Sequence, residues 1–173
     1  MIEVKLGHYD QIKARRVGIE REHWYKTNKP LYKTKYVKMS VDDNIETQIM
    51  SVAAEIAVAR YFNLHSFEPR NGTFKEKADV GENVEVRHTG HNQGDLIIRP
   101  TDRATDYAVL VTGSFTQLYL MGWHDVATAK TQAYLKDYAP GCWWVPQLKL
   151  LPMDQLHMIE EVAYASKDGV QAM

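Results

Sequence analysis

The chain has 173 residues, of which 45% are hydrophobic and 25% are charged, and its formal net charge is −1. This length suits one domain with a single core, and this composition excludes a disordered chain. No apolar run approaches the roughly 20 residues that cross a bilayer, and the opening residues 1–5 lack the character of a signal peptide. We therefore expect a cytoplasmic protein without a membrane partner.

The N-terminal segment, residues 1–40, begins with a predicted strand and a predicted helix. Residues 2–6 alternate between apolar and polar side chains, which is typical of a short strand. Residues 9–25 have helical spacing, with Ile12, Val17 and Ile19 as the main apolar positions. Residues 27–39, which include Pro30 and many lysines, indicate a loop or an extended arm.

Charge is distributed unevenly along the chain. Residues 1–38 hold ten basic residues against four acids, a net charge of +6 that leaves −7 for the rest. Aromatic side chains lie among these cations and are able to stack on bases while the cations neutralise phosphates. The predicted nucleic-acid contacts are Arg15, Arg16, Lys33, Lys35 and Lys38. The alternative is a solvated helix followed by a lysine-rich surface loop.

A second helix is predicted over residues 41–62, with Ser40 or Asp42 as its N-cap. Its apolar stripe consists of Ile45, Ile49, Val52, Ile56 and Ala59. Glu55 lies beside that stripe, so it faces either the core or a cleft. A buried carboxylate needs a partner, which is a metal ion, a neighbouring cation, or a neighbouring element that the carboxylate caps.

The rest of the chain predicts strands followed by helices. The expected strands span residues 84–88, 95–99, 107–112, 117–123 and 142–145. One helix is expected over residues 125–138 with Asp125 as its cap, and a last short helix over 153–164 before a polar tail. The single cysteine, Cys142, excludes an internal disulfide and is expected to be buried and reduced.

These elements predict a single domain, because no repeat or linker divides the chain. We expect a basic N-terminal segment at 1–40, a core at 41–150, and a C-terminal helix and tail at 151–173. The tryptophans at 123, 143 and 144 are expected in the core or at an interface, and aromatic residues that look exposed permit a homodimer.

Two acids and a cation form the most informative group of residues. Asp79 lies at the edge of a loop, and Glu85 and Arg87 share one face of the following strand because side chains alternate along a strand. Hydrolysis of a phosphodiester calls for a hard cation with oxygen ligands. Asp79, Glu85 and the Val86 carbonyl are candidate ligands for Mg²⁺ or Mn²⁺, with Glu55 as a further one.

This pattern resembles the PD-(D/E)XK nuclease superfamily, and more loosely its small phage-type members. The family carries a Glu on a helix, then an Asp, then Glu-x-Lys on the next strand, and Glu55, Asp79 and the 85–87 segment stand in those places. The resemblance covers about residues 41–145. It implies an α/β (α+β) restriction-endonuclease-like core, with a mixed central β-sheet flanked by helices. It also implies metal-dependent hydrolysis of DNA, with Glu55, Asp79, Glu85 and the residue at 87 as catalytic residues.

Arg87 stands where the family has a lysine. Arginine stays protonated, so it cannot act as a base, although it can clamp a phosphate or stabilise charge in a transition state. Lys75 and Lys77, in the preceding loop, are the candidate lysines for this role. Three functions therefore stay open: a metal-dependent nuclease, a nuclease fold that binds nucleic acid or protein without cutting, and an unrelated α+β binding protein.

Overall fold

The computed structural model describes residues 1–28, 41–71, 77–136 and 141–156, and of residues 41–43 only the backbone. Its elements are β1 (Ile2–Val4), α1 (His8–Asn28), α2 (Val41–Tyr61), β2 (Val84–Thr89), β3 (Leu96–Ile98), β4 (Tyr107–Ser114), β5 (Gln117–Asp125), α3 (Val126–Ala129) and β6 (Trp143–Val145). Two short 3-10 turns cover Gln132–Tyr134 and Gln147–Lys149. The fold is mixed α+β, with a mixed sheet flanked by helices, as the sequence predicts.

The main sheet has four strands in the order β1-β5-β4-β2. β2 pairs with β4 in parallel, whereas β4 with β5 and β5 with β1 are antiparallel. A second, two-stranded sheet pairs β3 with β6. Within the described ranges, β2 therefore lies at one edge of the main sheet, and this position leaves backbone groups of β2 available to other partners.

The strand β4 separates two cores, because it is buried on both faces. Val109 and Val111 face the core shared with the helices α1 and α2. Ala108 and Leu110 face a smaller core with β3, β6 and α3. This continuous apolar strand is typical of sheets that are covered on both sides.

The helix α1 packs on α2 with a different face from the one that its isoleucines predict. Of the three apolar positions that mark this helix in the sequence, Ile12 and Ile19 are each 52% exposed and only Val17 is buried. A Cβ on Gly18 would lie 2.6 Å from the Ile49 Cα, which shows how closely the two helices approach. Because of this contact, α1 packs on α2 with the face that carries Gly18. Arg21 lies one turn later on the same face and is buried as well.

Most predicted elements are confirmed, with boundary differences of a few residues. The predicted strands match β2 to β6, and the two long helices match α1 and α2. Residues 27 and 28 belong to α1 rather than to a loop. Trp123 is buried in the core, but Cys142 is only half-buried, which corrects the expectation of a buried thiol.

The helix predicted over 125–138 ends at Ala129, so the prediction is wrong over residues 130–136, and residues 137 and 138 lie outside the described residues. Asp125 is its N-cap as predicted, with Oδ1 accepting a hydrogen bond from Thr128 N at 2.7 Å. Lys130 then leaves the helical conformation, and its Nζ donates to the carbonyls of Pro100 and Asp102. Tertiary contacts thus override local propensity here.

Some predictions fall outside the described residues. They concern the arm from residue 29 onward with Lys33, Lys35 and Lys38, the cap at Ser40, the side chain of Asp42, Lys75, and the helix and tail after residue 156. No helix in the part of the chain that the structure describes is long and apolar enough to cross a membrane.

Candidate active site

A cavity of about 240 Å³ lies between α1, α2 and the edge strand β2. Its basic lining residues are Arg21, Arg70, Lys77, Arg87 and Arg99. Its acidic lining residues are Glu55 and Asp79, and Val86 and His88 also contribute from β2. The cavity therefore gathers Glu55, Asp79 and Arg87, three of the residues that the sequence predicts, from separate elements.

Glu55 of α2 is bound by Arg21 of α1, and we call these two residues the Arg21 pair. The guanidinium donates from Nη1 to Oε1 at 2.6 Å and from Nη2 to Oε2 at 3.0 Å. Both side chains are buried. Burial raises the pKa of Glu55 to about 7 although Arg21 opposes the shift. The structure thus shows a neighbouring cation, Arg21, as the partner of Glu55.

Arg70 connects the Arg21 pair to the loop that carries Asp79. Its carbonyl accepts hydrogen bonds from Arg21 Nε at 3.1 Å and from Nη2 at 2.6 Å. Its own Nη1 donates to the carbonyl of Ala78 at 3.0 Å. Asp79 is therefore held beside the cavity by its neighbour in the chain.

Asp79 binds the open edge of β2. Its Oδ2 accepts a hydrogen bond from Val86 N at 2.9 Å, a group that would otherwise lack a strand partner at the sheet edge. In a strand, the N–H and C=O of one residue point the same way, so the Val86 carbonyl also faces this edge. Asp79 and the Val86 carbonyl oxygen consequently lie side by side.

Three oxygens surround one nitrogen of Arg87. Nη1 lies 3.0 Å from Glu85 Oε2, 3.2 Å from Val86 O and 3.8 Å from Asp79 Oδ2. These are the oxygens that the sequence nominates as metal ligands, and they converge on a positively charged atom.

The rest of the guanidinium has other partners. Arg87 Nη2 lies 2.7 Å from Asp102 Oδ1, and Nε donates to the carbonyl of Ile97 at 3.3 Å. We call Arg87 with Asp79, Glu85 and Asp102 the Arg87 cluster. It contains three carboxylates and one guanidinium, so acids are in excess.

The pKa of Glu85 reflects both the burial of the cluster and its excess of acids. Burial and then the charge of Asp79 raise the pKa of Glu85 to about 8, and Arg87 only partly offsets them. For Arg87, burial alone would lower the pKa, but Asp102, Glu85 and Asp79 together raise it. A pKa of about 8 favours the protonated form of Glu85 at neutral pH, mainly because the carboxyl is buried and secondly because Asp79 lies beside it.

The cluster fits a hard cation in its donor chemistry. Mg²⁺ and Mn²⁺ take carboxylate and carbonyl oxygens, and Asp79, Glu85 and Val86 supply three that already surround a cationic atom. Across residues 1–28, 41–71, 77–136 and 141–156, no three His, Cys, Asp or Glu side chains form a metal-binding group. The fit therefore depends on two carboxylates and a carbonyl, with Glu55 engaged by Arg21.

His88 is a neutral neighbour of this cluster. Its Nε2 lies 3.1 Å from the Gly113 carbonyl, and burial lowers the pKa of the ring. It lines the cavity from β2 although alternation sets it on the opposite face from Arg87.

The predicted nucleic-acid contacts on α1 do not line the cavity. The guanidinium of Arg15 lies over the ring of Phe115, 4.5 Å from its centroid, and Arg16 is exposed. Lys77, the candidate from the preceding loop, does line the cavity.

Sequence reasoning missed Arg21, Arg70, Arg99 and Asp102. For Arg21 a signal exists, because it follows Ala14, Val17 and Gly18 at helical spacing on the face that packs on α2. For Asp102 there is no such signal, because the turn after β3 meets Arg87 through a contact between residues 15 positions apart.

No protein-family model matches this chain, and it has no match among the curated proteins or the solved structures that were compared. The function must therefore be argued from the geometry of the site.

Proposed function

We propose that the protein is a metal-dependent nuclease that hydrolyses DNA phosphodiester bonds at this cavity. Asp79, Glu85 and the Val86 carbonyl would hold Mg²⁺ or Mn²⁺. The observation that carries the proposal is the convergence of these three oxygens on one cationic atom, Arg87 Nη1, at 3.0 to 3.8 Å. A site that already stabilises positive charge at one point has the donor set that a hard cation needs.

Electrostatics supports the same conclusion. Glu85 keeps a proton up to about pH 8 because of burial and the neighbouring charge of Asp79. A divalent cation beside both carboxylates would favour their ionised forms and remove this cost. An added cation would therefore stabilise this cluster more than it would stabilise a balanced ion pair.

The chain's own residues supply binding and charge stabilisation. A bound metal ion polarises the phosphate and lowers the pKa of a water ligand. Arg87 remains a donor for phosphate oxygens, since a guanidinium binds such oxygens in a planar, bidentate way. Lys77 and Arg99 are exposed at the cavity and would contact neighbouring phosphates.

The arrangement of elements supports the finer fold proposal, a restriction-endonuclease-like core of the PD-(D/E)XK type. The helix α2 carries Glu55 and packs on the main sheet, and β2 carries Glu85 and Arg87 beside Asp79. A role for Glu55 in metal binding, a homodimer and a cytoplasmic location stay predictions.

A cleavage assay tests the proposal. The wild type is incubated with plasmid DNA and Mg²⁺ or Mn²⁺, beside Asp79→Asn and Glu85→Gln. We expect metal-dependent nicking that falls by about a thousandfold in each variant, because each loses a metal ligand. Glu46→Gln, which neutralises an exposed acid of α2, is the matched control and should cut normally.

Two results of this assay would contradict the proposal. If both variants cut like the wild type, the site assignment is wrong, and if the wild type never cuts with either metal, the activity is wrong. RNA in the same assay decides which nucleic acid is the better substrate.

A second function is favoured by one observation. Arg87 Nη1 contacts the same three oxygens that a metal would use, and arginine cannot activate water as a base. A nuclease-like protein that binds nucleic acid or a protein partner without cutting would have these properties. Such a protein would retain DNA binding in a filter or gel assay while producing no nicks at any metal concentration.

A further inference from the structure

The three nitrogens of the Arg87 guanidinium have separate tasks. Nη1 faces Asp79, Glu85 and the Val86 carbonyl, while Nη2 binds Asp102 and Nε donates to the Ile97 carbonyl. One nitrogen therefore contacts the proposed metal ligands, and the other two contact a carboxylate and a carbonyl outside that set.

We infer that Arg87 Nη1 and a divalent metal ion are alternative partners of the same oxygens, and that Asp102 is the positioning residue that retains Arg87 when the metal binds. This inference rests on the proposed function. It assigns to Asp102 a part in the site that its position in the sequence does not suggest.

Mutual exclusion follows from charge and space. Nη1 is only 3.0 Å from Glu85 Oε2 and 3.2 Å from Val86 O. A metal ion that shared these oxygens would stand next to a guanidinium that never loses its proton, and two cations in a largely buried site repel strongly. Nη1 must therefore withdraw from the oxygens when a metal ion binds.

Asp102 is built to hold the withdrawn group. It is 8% exposed, and its Oδ1 lies 2.7 Å from Arg87 Nη2. Its other oxygen, Oδ2, accepts a hydrogen bond from Arg99 N at 2.8 Å, which fixes the carboxylate in the turn after β3. Arg87 thus keeps a carboxylate partner after Nη1 leaves Asp79 and Glu85, and its charge stays at the site for a phosphate.

Direct measurement of Mn²⁺ affinity, by calorimetry or by electron paramagnetic resonance of free Mn²⁺, tests the inference without reference to activity. We expect Arg87→Gln to bind Mn²⁺ at least about tenfold more tightly than the wild type, because the competing charge is gone. We expect Asp102→Asn to bind about tenfold more weakly, since the displaced arginine then lacks its carboxylate. The asparagine retains an oxygen for Arg99 N.

The double variant distinguishes positioning from a merely structural role. If Asp102 acts through Arg87, the Asp102→Asn substitution should have little effect on Mn²⁺ affinity in the Arg87→Gln background. Lys149→Gln, which removes an exposed positive charge outside the cavity lining, is the control for net charge and should not change Mn²⁺ affinity.

The outcomes separate this inference from the proposed function. A wild type that binds Mn²⁺ and cuts DNA, together with an Arg87→Gln variant of unchanged affinity, overturns the inference alone. A wild type without Mn²⁺ binding, together with an Arg87→Gln variant that binds, supports the inference and contradicts the nuclease activity. If Arg87→Gln does not fold, Asp102→Asn decides, and an unchanged Mn²⁺ affinity there also overturns the inference.

Discussion

The Arg21 pair and the Arg87 cluster meet at one cavity, which both residues of the pair line but only Asp79 and Arg87 of the cluster, and the two groups differ in charge balance. In the Arg21 pair, one guanidinium meets one carboxylate through two hydrogen bonds of 2.6 and 3.0 Å. In the Arg87 cluster, one guanidinium is shared among Asp79, Glu85 and Asp102. The pair lies between two packed helices, whereas the cluster lies at the open edge of a sheet.

This difference separates a structural ion pair from a site that can accept another cation. In the Arg21 pair the charges of one guanidinium and one carboxylate balance, so the pair does not attract a further cation. Its main effect is to fix α1 against α2. In the Arg87 cluster, burial and then the charge of Asp79 raise the pKa of Glu85 to about 8, and the Val86 carbonyl lies beside the same guanidinium. Of these two groups, only the cluster has the excess of acid and the open edge that a metal ion needs.

The largest effect on stability is expected from breaking the pair. Arg21→Met should lower the free energy of unfolding by about 3 kcal/mol at pH 8, because Glu55 is left buried without its cation. Urea denaturation measures the change. Lys5→Met, which removes a 3.3 Å ion pair between two exposed side chains, should change the free energy of unfolding far less. Equal losses in the two variants would contradict the contrast.

The pH dependence of stability sharpens the comparison. The pKa of Glu85 in the folded protein is about 8, above the ordinary value of 4.5, so the folded state binds the extra proton. Its contribution to stability is full below about pH 4.5 and is lost as the pH rises through 8. We expect the metal-free protein to melt on the order of 2–4 °C lower at pH 8.5 than at pH 6.

Two variants test the origin of this pH effect. Glu85→Gln should reduce the difference in melting temperature, because glutamine does not titrate, and Mn²⁺ should raise the melting temperature of the wild type most at pH 8.5. A Glu85→Gln variant with the full pH dependence would assign the effect to other groups, such as Glu55, whose pKa is about 7.

The smallest effect concerns the exposed cations of the cavity. Lys77→Gln and Arg99→Gln should each weaken DNA binding a few-fold and reduce the slope of log affinity against log salt by about one. Fluorescence anisotropy at several salt concentrations measures both quantities. Lys149→Gln, exposed but outside the cavity lining, should leave the slope unchanged, and an equal reduction in this control would mean that general charge alone binds DNA.

Much of the fold follows from local patterns in the sequence. The stripe around Val52 and Ile56 defines α2, and alternation defines the face of β2 that Glu85 and Arg87 share. The packed face of α1 does not follow from hydrophobicity, because Gly18 admits a close contact with Ile49 while Ile12 and Ile19 stay exposed. Hydrophobicity alone does not report such a contact.

The site was predictable only where its residues are close in sequence. Asp79, Glu85 and Arg87 lie within nine residues, so their spacing already suggested a cluster. Arg21 shares the packed face of α1, which its helical spacing indicates, but the partner that it meets there is set by a long-range contact, as is the partner of Asp102. Their absence from the prediction explains why Glu55 looked available to a metal.

The most direct test of the account is the stoichiometry of Mn²⁺ binding at pH 8.5, measured on the wild type and on the Asp79→Asn/Glu85→Gln double variant. The account predicts one Mn²⁺ per chain for the wild type. For the double variant it predicts affinity at least about a hundredfold weaker, because both carboxylate ligands are lost. Binding of equal affinity in the two proteins would contradict the assignment of the metal to Asp79, Glu85 and the Val86 carbonyl.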